Sequence, residues 1–282
     1  MAFFPALLHV GARLGWTSFT VHWSTVIGLA ILGLLYAWAG HSGKRRGTPL
    51  RRAQPALFFG GLALMFFSLN GWIHDLSDYY LFSAHMVQHL FLAMGVAPLL
   101  IMGTPGWMLR PVLRGRVMRT LTRPLGNALA CFLIFNVVLV GWHLPPLYNA
   151  AMSVHEVHIF QHLLLLAASV IMWWPVLSPM AEYPRLSYPG QMLYLFLMTI
   201  PMSVVSVSIA YAGSILYPEY ASAPRVMRLS PMDDQMLGGL IMWIPGGLYF
   251  FAIISVIFYR WQQAGGHDSR ASAQVDLQPM SS

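Results

Sequence analysis

The chain has 282 residues, of which 57% are hydrophobic and 9% charged, whereas soluble domains run at about 45–50% and about 25%. That balance excludes an ordinary soluble domain and predicts an all-α, polytopic membrane helix bundle lying in a lipid bilayer. The formal charge of +7 would suit nucleic acid if it covered one solvated face, but the cations are sorted by loop, so no nucleic-acid partner is expected.

Residues 1–19 read as an interfacial N-terminal segment. Arg13 is the first cation, so no basic region precedes an apolar run and no cleaved signal is predicted. A hydrocarbon core of about 30 Å takes about 20 apolar residues per helix. About seven segments within residues 20–260 meet that need: Thr20 to Gly40, Ala56 to Ile73, Leu81 to Gly103, Asn127 to Trp142, Val157 to Leu177, Gln191 to Ala212 and Met236 to Tyr259. Lys44, Arg45, Arg46, Arg51 and Arg52 fall between the first two, and Arg110, Arg114, Arg116, Arg119 and Arg123 between the third and fourth. The positive-inside rule makes both loops cytoplasmic, with the N-terminus outside and the C-terminus cytoplasmic. Residues 261–282 are polar and rich in Ser and Ala, and read as a disordered tail. Cys131 is the single cysteine and lies inside a span, so neither a disulfide framework nor a thiolate cluster is available.

Two segments carry the same pentad near their start, His85-Met86-Val87-Gln88-His89 and His158-Ile159-Phe160-Gln161-His162. Histidines four apart share a helix face with Cβ atoms about 6 Å apart, so each pentad offers two imidazoles to one ion or cofactor. Each is preceded by a span ending in Trp and His, through His74 or His143, and followed by an apolar run and a proline, Pro98 or Pro175. This predicts an internal two-helix duplication in one membrane orientation, with eleven residues from His74 to His85 and fifteen from His143 to His158. Parallel repeats commonly place sites at their interface.

With this topology the histidines lie on the outer side. At about 1.5 Å per residue, His89 and His162 sit roughly 8–12 Å inside the boundary, with His74, His143 and His155 near the surface. Ionisable groups inside a membrane are functional candidates because burying them is costly. The alternative is that the imidazoles merely hydrogen-bond neighbouring helices. Gln88 and Gln161 lie about 100° round the helix from the deeper His, better placed as interhelical partners than as ligands. Imidazole suits copper, zinc and iron, and thioether favours Cu(I). Met86 within the first pentad, with Met152, Met232 and Met236 on the same side, adds such ligands. Asp233 and Asp234 open the last span, either as favourable charges at its N-terminus or facing the histidines. A phosphate loop, a nucleophile elbow and a His-Glu-x-x-His motif are absent. Spacing alone leaves open a metal ion, a bis-histidine haem for electron transfer, a metal transporter and a metal-free scaffold.

The run Ser83 to Leu90, followed by Ala97-Pro98-Leu99-Leu100 and Gly103-Thr104-Pro105, resembles the signature of the CtaG-type cytochrome c oxidase assembly factors associated with caa3 oxidases. The second pentad with Trp173-Trp174-Pro175, and the stretch Asp234 to Trp243 with Gly238, Gly239 and Met242, are similar to that family too. The resemblance implies a non-enzymatic, multi-pass protein of the bacterial inner membrane that supports maturation of a haem-copper oxidase. Copper is the implied metal and an oxidase subunit the partner, with a periplasmic copper donor and a homo-oligomer as further partners to test. The implied site residues are His74, His85, His89, His143, His158 and His162, with Asp234. An unrelated family of single-span copper chaperones shares the name but uses cysteine ligands, which the lone Cys131 excludes here.

Overall fold

The computed structural model describes residues 19–113 and 115–276, with side chains to residue 265. The predicted interfacial segment falls outside the described residues apart from Phe19. Among the described residues every regular element is helical. Five helices are long and apolar enough to cross a membrane, and seven spans result if each of two bent pairs counts as one.

Helix α1, Trp23–Arg45, ends on Lys44 and Arg45, cations that suit the negative end of its dipole. It is buried only at Leu29, Gly33, Tyr36, Gly40 and Gly43, and leans on α2, Ala53–Leu69. The second predicted span is not one straight helix. Ser68 and Asn70 turn their side chains onto the carbonyls of Leu64 and Phe66, at 2.7 and 3.0 Å. Gly71 then adopts φ +67°, a left-handed conformation that glycine accepts without strain. The chain continues as α3, Gly71–Tyr79, bent by 42° from α2.

The third span is a 22-residue rod, Phe82–Gly103. It comprises α4, Phe82–Leu90, a π-helical stretch, Phe91–Val96, and α5, Ala97–Gly103. Pro98 has no N–H to return to the preceding turn, and in a membrane the freed carbonyls need other donors. Trp173 Nε1–H donates to Ala93 O at 2.8 Å and the Tyr249 hydroxyl to Met94 O at 2.6 Å. The widened turn is thereby pinned to two neighbouring helices.

Two short helices, α6, Gly106–Leu113, and α7, Arg116–Thr122, carry the second arginine-rich loop. Arg116–Gly126 bends by 96° into α8, Ala128–His143. Asn127 caps α8 by accepting from the N–H groups of Leu129 and Ala130 at 2.9 and 3.2 Å. Then follow α9, Pro145–Ser153, α10, His155–Leu177, α11, Tyr188–Ala210, α12, Pro218–Ser222, and α13, Pro231–Asp276. The last helix runs past Tyr259, the predicted end of the seventh span, and covers much of the stretch read as a tail. It has no proline after Pro245 to stop it.

The order of a long helix, a nine-residue helix and a pentad helix occurs twice, as α2–α3–α4 and α8–α9–α10. The predicted duplication therefore includes a short helix that the apolar pattern did not reveal. Helix α13 packs on α11 and α4, while α10 packs on α8 and α5. The α11–α13 approach is close because Gly239 faces the backbone of Ala210, where an added Cβ would lie 2.7 Å from its nitrogen. Phe82, Met172, Trp173, Leu195 and Met198 fill the centre.

Candidate metal centre

Both pentads lie on regular α-helix, so each pair of histidines projects from one face. The rod Phe82–Gly103 packs on α10 through Phe91–Val96 and α5, and at its histidine end the rings themselves bridge the pairs. Ring centroids are 4.3 Å apart for His85 and His89, 4.5 Å for His158 and His162, and 5.3 to 5.4 Å between the pairs. One ring nitrogen each from His85, His158 and His162 lie within 4.8 Å of one another. His89 is not of that trio. Its Nε2 faces His85 Nε2 at 2.7 Å, and its ring abuts His143 with centroids 5.8 Å apart.

Hydrogen-bond partners assign the tautomers. The Tyr220 hydroxyl donates to Ser77 O at 2.7 Å, because a carbonyl can only accept. His85 Nδ1–H therefore donates to the Tyr220 oxygen at 3.0 Å, and His85 Nε2 carries the lone pair. Burial pushes the Tyr220 phenol well above its ordinary pKa, so it stays neutral in this role. His143 Nδ1–H donates to Leu139 O at 2.7 Å, leaving a buried Nε2 without a partner. His158 turns Nδ1 toward Asp78 at 3.6 Å, and its Nε2 is buried and unpartnered, as is that of His162. Metal-binding histidines characteristically commit one ring nitrogen to an outer partner and offer the other. Here His143 and, over a longer approach, His158 do so, whereas the second nitrogen of His85 is taken by His89.

Asp78 also lies 3.3 Å from His74 Nε2. His74 reaches the cluster through this carboxylate and through Gln88, and it also meets the His22 ring at 4.4 Å. His74 and His143 are buried inside the protein. They are 8% and 5% exposed: the His22 ring and the Gln88 amide lie against His74, and the Tyr217 hydroxyl donates to His143 O at 2.9 Å. His155 alone of the three is exposed.

Asp234 is placed apart from the histidines. It is fully buried, accepting from the N–H groups of Phe82 and Ser83 at 2.7 and 3.2 Å and from the Ser83 hydroxyl at 2.5 Å. A carboxylate at the N-terminus of the α4 rod meets both its free donors and its positive dipole end. Asp234 thus anchors α13 to the helix that carries His85, a different helix from the one whose start it opens. Met86 packs in the core beside Gly238. Gln88 Nε2 bridges to Ser68 O at 2.8 Å and His74 Nδ1 at 3.3 Å, the interhelical role its position suggests. Gln161 is equally buried, yet neither amide atom has a partner.

Sequence reasoning missed Asp78, Tyr220 and Tyr148. Asp78 stands four residues after His74 and could have been found from that spacing. Tyr220 and Tyr148, whose hydroxyls are 3.1 Å apart, carry no periodic signal.

An all-helical membrane bundle with imidazoles converging between two repeated helices is the class of protein this fold and site define. The model of the cytochrome c oxidase caa3 assembly factor family (Caa3_CtaG) matches residues 34–264, and the chain belongs to that family. Membership implies a non-enzymatic role. The chain is similar to uncharacterized proteins of Mycobacterium bovis and Mycobacterium tuberculosis, each 23% identical over 274 residues, and of Mycobacterium leprae, 24% identical over 212. These alignments take in 89%, 89% and 70% of this chain but 40%, 40% and 32% of the relatives, so the chain spans less than half their length. No solved structure matches.

Proposed function

We propose that the protein binds a copper ion between the two pentad helices and passes it to a subunit of a haem-copper oxidase during assembly. The observation that carries this reading is the convergence of ring nitrogens from His85, His158 and His162 within 4.8 Å. Each ring is held by its own helix, and the Nε2 atoms of His158 and His162 have no partner among the described residues. Imidazole ligands hold copper well, and a shell without thiolate leaves the ion exchangeable. Two nitrogens bound to one ion at about 2.0–2.1 Å in tetrahedral geometry are about 3.3 Å apart. The 2.7 Å contact of His85 with His89 is too short for both to ligate together, so His89 acts as the hydrogen-bond partner that metal displaces.

The haem reading has less support. The rings of the two pentads rest against one another at 5.3 to 5.4 Å, and a macrocycle between them would have to part those rings. The test is metal content of the purified full chain, by elemental mass spectrometry after growth with copper, zinc and iron. About one copper per chain is expected, with loss in both His85→Ala and His162→Ala, since one site needs both helices. Iron with a Soret band would move the reading to electron transfer. No metal in the folded wild-type protein would leave the scaffold role.

A further inference from the structure

At the end of the bundle opposite the histidines lies a cavity of about 400 Å³, a size within the roughly 300–1,000 Å³ of ligand sites. Four helices wall it, through Pro98 of α5, Val176 of α10, Gln191 of α11 and Ile253 of α13. These positions stand where α5 and α10 end and α11 begins. That is the end of the bundle from which the arginine-rich loops emerge.

Arg185 and Arg260 line the same cavity, and no Asp or Glu does. Arg185 Nε–H donates to Ser178 O at 2.8 Å, which fixes the guanidinium at the rim while its terminal nitrogens have no acceptor among the described residues. Arg260 has no side-chain partner among the described residues either. Arg110, in contrast, is matched by Glu182 at 2.7 Å. Two unmatched cations therefore border an apolar recess at the level where spans meet headgroups.

We infer that this cavity is a binding site for an anionic phospholipid, with an acyl chain along Val176 and Ile253 and the phosphate between Arg185 and Arg260. The guanidinium fork matches phosphate oxygens, and basic pockets between spans are a recurring mode of anionic lipid recognition. A soluble anion gains nothing from the apolar wall, and a zwitterionic lipid leaves the pair of cations uncompensated. The proposal is independent of metal binding at the other end.

The test uses the full chain in nanodiscs of phosphatidylglycerol and phosphatidylcholine, followed by native mass spectrometry of lipid retained in detergent. Wild type should retain phosphatidylglycerol selectively, and Arg185→Gln/Arg260→Gln should reduce that selectivity by roughly fivefold for each arginine. Ile253→Trp keeps both charges but fills the recess, and should also lower retention. Arg110→Gln should not. Equal retention by wild type and the double variant would overturn the proposal. So would a loss in Arg110→Gln matching the double variant, which would mean diffuse surface attraction, or full retention in a folded Ile253→Trp.

Discussion

The two pentads share a pattern but are supported differently. In the first, His85 is braced by Tyr220 and Gln88 ties α4 to Ser68 and His74. In the second, His158 has only the longer approach to Asp78, and both Gln161 amide atoms, His158 Nε2 and His162 Nε2 are buried without partners among the described residues, against Gln88 Oε1 and His89 Nδ1 in the first. Buried polar groups are ordinarily satisfied, and an orphan costs about 1–3 kcal/mol. The first copy is therefore the better satisfied of the two, and the second is the more open half. A repeat in sequence does not guarantee a repeat in role, because each copy meets a different third element. Helix α4 is covered by α12 and α13, through Tyr220 and Asp234, whereas α10 has α8 and α9.

The largest effect should come from the one residue that supports the open half. Asp78→Asn removes the carboxylate shared by His74 and His158, and outer partners of metal-binding histidines are typically worth about 10–100-fold in affinity. Copper titration of the purified variant should give a loss in that range, and unchanged affinity would remove Asp78 from the site. Next comes the glutamine pair. Gln88→Leu leaves Ser68 O and His74 Nδ1 without their donor and should destabilise the metal-free protein by about 1–3 kcal/mol. Gln161→Leu removes two atoms that already lack partners and should be neutral or stabilising. Equal thermal shifts for the two would mean that the pentad glutamines are equally well satisfied.

Tyr220→Phe leaves Ser77 O and His85 Nδ1 unpaired, should likewise cost about 1–3 kcal/mol, and should free the His85 ring, read as a second His85 tautomer in nitrogen-15 spectra. A single unchanged tautomer would mean that the ring is held by packing alone. The smallest effect belongs to the pair far from both pentads. Arg110 beside Glu182 holds the carboxyl below its ordinary pKa. Its contribution is thus present above the ordinary carboxylate pKa and lost as pH falls through the depressed one. Exposed pairs contribute little, so Arg110→Gln should leave the acid side of the pH–stability profile unchanged.

The sequence by itself determined the helical membrane class, the approximate spans and the pairing of histidines on each pentad face. Apolar runs of span length and an i,i+4 spacing are local properties that a helix converts directly into geometry. It could also have shown Asp78 beside His74, for the same reason. Only the tertiary structure decided that Asp234 grips the start of α4, that Tyr220 sets the His85 tautomer, that His22 and Gln88 lie against His74 and Tyr217 against His143, and that Gln161 has no partner among the described residues. Those outcomes join residues as far as 152 positions apart. They depend on which helices pack together, and a contact between distant helices leaves no period in the chain to read.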